Sequence, residues 1–363
     1  MRPHDLITLL LTAAACGCSS GATSSGDDAG SAGGDGNTGA LRVPELGPVP
    51  PLPTFDGDPI TPAEQTLGND LFFDPRLSGS GHTACNACHV SATSWQDNLQ
   101  LSTPDRSYPA DSPTLGHNTL SFLNLVYAPR FRWDGSQSDL VNGMVYPLAE
   151  PNMNVARLPA GSTAVDVEAA KQALYAKLTG DLPGYRPLYR AAFGVDPTSL
   201  GADDVWTLTG RALRAFVAQA VSRDAPFDRW NAGDDSAMSD AAVRGVAIFR
   251  GKGRCIGCHT GPFFTDFSVH NVSSSPSDHG AFLTPTLRGA YDTGPYFHDG
   301  SQAGLVAVLG FFAGSGVTQD PARDPAFATP LPLTAADIQD VIAFLRALRG
   351  APGAVIEAPA SLP

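Results

Sequence analysis

Two pentapeptides carry the chemistry most readily read from this chain: Cys85-Asn86-Ala87-Cys88-His89 and Cys255-Ile256-Gly257-Cys258-His259. Each is C-x-x-C-H, in which two thiols can add across the two vinyl groups of one porphyrin while the adjoining imidazole reaches its iron. With six cysteines and eight histidines in 363 residues, chance supplies ~0.002 such matches per chain, so a pair of them is a strong signal. A structural zinc site is the rival reading, and a disulfide reading would leave both histidines without a purpose. The expectation is two covalently bound c-type haems, attached at Cys85, Cys88, Cys255 and Cys258, with His89 and His259 as proximal iron ligands.

Helices must deliver these segments. Thr61-Pro62-Ala63-Glu64 reads as a capping box with proline at the first helical position, and Leu67, Leu71 and Phe72 follow on one side. Residues 167–178 and 205–221 carry apolar side chains at helical spacing and should wall the same domain. Residues 239–249 then repeat the arrangement, a short helix running straight into C-x-x-C-H, so two related modules are expected. Thr334 starts a last helix with Ile338, Val341, Ile342, Leu345 and Leu348 in one stripe, and Gly350 as its stop. With 38 glycines and 31 prolines, long irregular loops and little sheet should join these pieces. The fold class is therefore mainly α, with two c-type cytochrome domains at residues 57–225 and 226–350 and a tail at 351–363.

The N-terminus, MRPHDLITLLLTAAACGCSS, places one arginine before an apolar run too short to span a bilayer, then small residues before a cysteine. This is the pattern of a lipoprotein signal over residues 1–15 with Cys16 lipidated; ordinary signal cleavage is the alternative. Residues 16–56 read as a flexible Gly/Ser/Pro-rich tether. The implied location is the periplasm, with membrane contact only through the lipid. A formal charge of −13 argues against nucleic acid and favours a basic protein partner.

In order along the chain, LGNDLFFDPRLSGSGHTACNACH, RWDG, DAPFDRW, RGVAIFRGKGRCIGCHTGPFFTD and TPTLRGAYDTGPYFHDGS resemble the bacterial di-haem cytochrome c peroxidase family, which includes the oxidase that matures the methylamine dehydrogenase cofactor. The likeness spans about residues 57–350. It implies one haem in each of two helical domains and makes Trp133, in the RWDG motif, an electron relay between them. It also implies a calcium ion near the domain junction, for which Asn118, Thr293 and Pro295 are the matching positions. A packed core aromatic is the plainer reading of Trp133, and a turn residue that of Asn118.

Three departures from the family pattern are visible. Counting from Trp133, the distal glutamine and glutamate of active members fall at Gly143 and Met153, and counting from His298 the usual far ligand of the second haem falls at Phe312. Glycine and methionine cannot move protons. Glu150 and His117 are substitute acid/base candidates, each weighed against a solvated surface role. Met153 is a candidate distal thioether ligand or a space-filling core residue. Phe312 would leave the second haem five-coordinate, which would move the open iron to the second domain. Two functions are compatible with this. One is a peroxidase-like oxidoreductase taking electrons from a small redox protein of cytochrome c or cupredoxin type and using hydrogen peroxide. The other is a non-catalytic di-haem electron carrier. Homodimerisation is left open.

Overall fold

The computed structural model describes residues 42–55, 59–103, 105, 116–158, 165–272, 280–315, 321–350 and 356–363. The signal segment, Cys16 and most of the tether lie outside the described residues.

Helix α1 (Pro62–Phe73) begins on the expected capping box: Thr61 Oγ1 accepts from Glu64 N at 3.1 Å and Glu64 Oε2 accepts from Thr61 N at 2.9 Å. Short helices α2 (Leu140–Val145), α3 (Val167–Ala176) and α4 (Tyr185–Phe193) lead to α5 (Ala202–Val217). The sequence reading carried α5 on to residue 221; the chain leaves the helix at Ala218 because Asn124 draws the next segment away, Asn124 N donating to Ala220 O and Ser222 N to Asn124 Oδ1. Helices α6 (Pro226–Asn231), α7 (Asp240–Arg250), α8 (Leu305–Gly310) and α9 (Ala335–Ala347) build the second half. The sheet among the described residues is a two-residue antiparallel pair, β1 (Val269–His270) and β2 (Phe282–Leu283), with Val269 opposite Leu283.

The two halves repeat one packing device. A Cβ on Gly68 would lie 2.0 Å from Ala212 O, so α1 and α5 touch backbone to backbone there. On α7 a Cβ at Gly245 would lie 2.1 Å from Asp340 O of α9. One turn on, Phe72 stacks on Phe216 with centroids 4.1 Å apart, and Phe249 meets Phe344 edge-on at 5.2 Å. Glycine lets each helix pair close to backbone contact, and the aromatic pair then locks the crossing. Each pair belongs to its own apolar cluster, one containing Leu67, Phe72, Trp206 and Phe216, the other Phe227, Trp230, Phe249 and Phe344.

Three sequence expectations change. Residues 42–47, assigned to the tether, enter the second cluster: Val43 and Leu46 are fully buried, and Val43 N donates to Asn231 Oδ1 at 2.8 Å. Apolar side chains that reach a core do not stay in a tether. Gly350 does not stop α9, which ends at Ala347 with Leu348 as its cap; it passes close to Ser222, where a Cβ would meet Oγ at 2.5 Å. The tail also docks: Ile356 packs on the first cluster, and Arg76 Nη2 donates to Pro363 O at 2.8 Å.

Candidate haem sites

Both C-x-x-C-H segments form one turn of 3-10 helix, Cys85–Ala87 and Cys255–Gly257, and in each the histidine N–H donates back to the first cysteine carbonyl, at 3.0 and 2.9 Å. At the second site the two thiols and the imidazole line one cavity. Burial and the neighbouring Cys88 push the Cys85 thiol up to about 12, and burial and Asp97 push Cys88 up to about 11. Cys255 and Cys258 are raised to about 12 and about 11, again chiefly by burial. All four are therefore neutral thiols at physiological pH, the form that resists oxidation to a disulfide.

The imidazoles are set up alike. His89 Nδ1 donates to Trp95 O at 3.0 Å and His259 Nδ1 to Phe264 O at 2.9 Å. Burial lowers the affinity of both rings for a second proton. A neutral ring whose Nδ1 carries the proton presents the Nε2 lone pair, which is the state a metal requires. To turn its carbonyl inward, Trp95 adopts φ +68° and Phe264 φ +53°. This left-handed backbone is costly for a bulky aromatic. The same strain at the same place in both halves marks a duplicated anchor. Sequence reasoning missed it, although an aromatic residue and then an aspartate follow each histidine at similar spacing, Trp95 with Asp97 and Phe264 with Asp266.

Around the second anchor lies a cavity of about 600 Å³ whose wall includes Cys255, Cys258, His259, Trp133, Asn118, Thr293, Pro295, His298 and Phe312. A thiol pair, a neutral imidazole whose Nδ1 is tied to Phe264 O and largely apolar walls such as Leu283, Leu309 and Leu345 fit a covalently held porphyrin. Zinc would need four ligands at each site. Among the described residues the sole grouping of three metal-binding side chains is Cys258, Asp266 and His270, and both His270 nitrogens are already bonded, to Asp266 at 2.8 Å and Asp324 at 2.7 Å.

Trp133 lines this cavity, its ring centroid 6.4 Å from that of His298. Its Nε1 donates to Asn118 O at 2.7 Å. Asn118 Oδ1 accepts from Gln96 Nε2 at 3.1 Å, and Gln96 follows Trp95, whose carbonyl holds His89. A continuous bonded route thus runs from the first imidazole to the indole at the second cavity. Asn118 also donates from N to His298 O at 2.7 Å and from Nδ2 to Leu99 O at 2.7 Å. Its side-chain oxygen is engaged, while Thr293 and Pro295 share the cavity wall with it.

The remaining sequence candidates separate. Glu150 is ion-paired with Arg132, beside Trp133 in the chain. Exposed His117 lies 5.6 Å from His298 and 6.0 Å from Phe282, ring to ring, at the edge of the second cavity and away from the first cluster. Met153 is 3% exposed within the first cluster, against which Cys85 packs. At Gly143 a Cβ would lie 2.2 Å from Phe131 Cε2, so an aromatic ring fills the room a longer side chain would need. Phe312 lines the second cavity in a ring cluster with Phe297, Phe311 and Phe327.

Residues 62–236 match the family model described as di-haem cytochrome c peroxidase, and residues 242–349 match that for cytochrome c. The chain is 34% identical over 334 residues to the methylamine utilization protein MauG of Methylorubrum extorquens, covering 87% of this chain and 85% of that protein. It is 30% identical over 359 residues to cytochrome-c peroxidase IdrP1 of Denitromonas iodatirespirans, covering 85% and 88%. Among solved structures, a MauG-like protein associated with microbial copper homeostasis shares the fold, with a TM-score of 0.69 at 23% identity over 86% of this chain and 95% of that one.

Proposed function

Because this chain belongs to the di-haem cytochrome c peroxidase family of oxidoreductases, we propose that it moves electrons between two c-type haems, one anchored by Cys85, Cys88 and His89 and the other by Cys255, Cys258 and His259, and uses them to reduce hydrogen peroxide or drive an oxidation. The observation that carries this is the duplicated anchor, an imidazole Nδ1 tied to a left-handed aromatic carbonyl in each half. When bound, the haems supply the redox chemistry. The chain's own residues keep the thiols and the imidazoles neutral and fix the route from His89 through Trp95, Gln96 and Asn118 to Trp133. That route supports Trp133 as the relay, because a hydrogen-bonded path couples sites better than a gap.

Proton movement is differently furnished in the two halves. With Phe131 filling the space over Gly143 and Met153 buried, neither of these two positions carries a side chain that transfers a proton, and Glu150 would have to release Arg132 to act. This favours Met153 as the distal thioether ligand of a closed, electron-holding first haem. On this reading the second half would hold the reacting iron, with His117 and His298 near its cavity. The same observation favours the second reading, a di-haem electron carrier with no peroxide chemistry.

A calcium ion on Asn118, Thr293 and Pro295 belongs to the proposal as well, supported by their shared cavity wall and oxygen-rich chemistry. Metal analysis of the purified protein before and after chelation tests it: one calcium per chain is expected, and none sinks it. A small basic redox protein suits the −13 charge as electron donor. Among the described residues no helix is long and apolar enough to cross a membrane; export with a lipid on Cys16 is the proposed location.

The deciding experiment is the absorption spectrum of the resting ferric protein. A high-spin band that shifts on adding peroxide, with turnover of a reduced cytochrome c, supports the enzyme. Two low-spin haems inert to peroxide would leave only the carrier.

A further inference from the structure

The second anchor is braced from the first half of the chain. Phe264 offers its carbonyl to His259 in the left-handed conformation, φ +53°, and a bulky aromatic stays there only where its surroundings hold it. Its own ring is set among Phe227, Phe249 and Phe344, at 5.2, 6.2 and 5.9 Å, all from the second half. The preceding residue, Phe263, is buried, and its carbonyl accepts from Thr286 Oγ1 at 2.6 Å. The Phe263 ring, however, stacks on Tyr127, with centroids 4.4 Å apart and planes tilted by 26°. Tyr127 belongs to the first half. It ends the 3-10 turn Leu125–Tyr127, packs against the first apolar cluster, donates from Oη to Pro50 O at 2.9 Å and accepts from Arg223 Nη2 at 2.6 Å. Its ring is thus fixed at the hydroxyl end and presents a face to Phe263.

The first anchor is met from the second half in the same manner. Ser94 precedes Trp95 as Phe263 precedes Phe264, and Ser94 O accepts from Ser121 Oγ as Phe263 O accepts from Thr286 Oγ1. Ser94 Oγ reaches Asp292 Oδ2 at 3.4 Å. Asp292 ends the turn Ala290–Asp292 as Tyr127 ends its own, and each turn follows a left-handed residue, Gly289 at φ +75° and Asn124 at φ +63°. Each half therefore touches the residue next to the other half's anchoring carbonyl. The two clasps differ in strength. A 3.4 Å bond to a carboxylate that Arg349 also holds, at 2.8 Å, restrains Ser94 weakly, whereas Tyr127 and Phe263 make a full ring contact.

We propose that Tyr127 is a positioning residue for the second haem: by holding Phe263 it keeps Phe264 O on His259 Nδ1, and so sets, from the other half, how strongly that imidazole donates to iron. A hydrogen bond at Nδ1 raises the basicity of a ligating imidazole and favours the oxidised metal, so weakening it raises the midpoint potential. The proposal rests on the reading that His259 holds the second haem.

The test is a potentiometric titration of the full-length di-haem protein, followed by absorption. His259→Gly, which keeps both attachment thiols, identifies the second haem's midpoint as the one it displaces. Tyr127→Leu, which removes the ring, should shift that midpoint upward and leave the other in place. Tyr127→Phe, which keeps the ring and loses both hydroxyl bonds, should leave both midpoints unmoved. Phe263→Leu should reproduce the upward shift, and adding Tyr127→Leu to it should shift the midpoint no further. Loss of stability in Tyr127→Leu with both midpoints unmoved would make the residue merely structural and overturn the proposal. An equal shift in Tyr127→Phe, or additive shifts in the double variant, would overturn it too. Haem content is scored separately: fewer than two haems per unmodified chain sinks the anchor reading, whereas two haems with an unmoved midpoint in Tyr127→Leu sinks the positioning role alone.

Discussion

The Phe131 ring and the Gly143 backbone occupy each other's space: a Cβ at Gly143 would come within 2.2 Å of Cε2 and 2.3 Å of Cζ. Phe131 is 4% exposed and pinned by a reciprocal backbone pair with Gln137, its N–H donating at 2.8 Å, so it has little freedom to withdraw. Gly143→Gln should therefore cost about 1–3 kcal/mol, the usual penalty of overpacking. Combining it with Phe131→Ala should cost less than the two single changes added together, as neighbours sharing one space do. Chemical denaturation of the four proteins checks this, and strict additivity would show that the ring does not block the position.

The route through Asn118 predicts separable effects on electron transfer and structure. Trp133→Phe removes the Nε1 donor and leaves Asn118 O unpaired, at a cost of about 1–3 kcal/mol. Both haem spectra should stay as they were, and reduction of one haem by the other should slow in stopped-flow measurements. Gln96→Leu should slow the same step with Trp133 intact, since it breaks the 3.1 Å bond to Asn118. Unchanged rates in both variants would remove Trp133 from the path.

Met153 distinguishes a closed first haem from an open one. As a residue 3% exposed in an apolar cluster, its change to alanine should cost about 2–5 kcal/mol whatever its role. If its thioether binds iron, the first haem should also pass from low to high spin. A variant that is merely less stable, with its spectrum intact, would make Met153 a packing residue.

His270 gives a pH dependence of definite sign. Burial pushes its imidazole down, but hydrogen bonds with Asp324 and Asp266 outweigh burial and the net direction is up. A folded value above the unfolded one, about 6.5, means stabilisation fully present below the unfolded value and lost as pH rises through the folded one. Asp324→Asn should therefore lower the melting temperature most in mildly acidic buffer, the difference from the unmodified protein shrinking toward alkaline pH. A difference independent of pH would show that the pair contributes no charge.

Much of the fold was legible because its signals are local. The capping box at Thr61 acts within four residues and formed as read, and Thr334 starts the last helix as expected, on a capping box of its own. The two C-x-x-C-H turns are local too, which is why their chemistry could be read without knowing what surrounds them. Apolar spacing found α3, α5 and α9, yet passed over Phe344, the residue that locks α7 to α9.

What the sequence determined by itself was therefore the set of reactive groups and the helices that carry them. Tertiary structure decided which groups meet. Gly68 and Gly245 earn their places through backbone contact with helices far along the chain, and Val43 and Leu46 leave the tether because a core lies within reach. The second cavity is likewise a relation between distant segments, lined by Trp133, His259 and Leu345, whereas the left-handed carbonyls of Trp95 and Phe264 sit within six residues of the histidines they hold. Helix signals decay within a turn or two of chain, whereas the contents of a cavity are set by whichever side chains long-range packing turns inward.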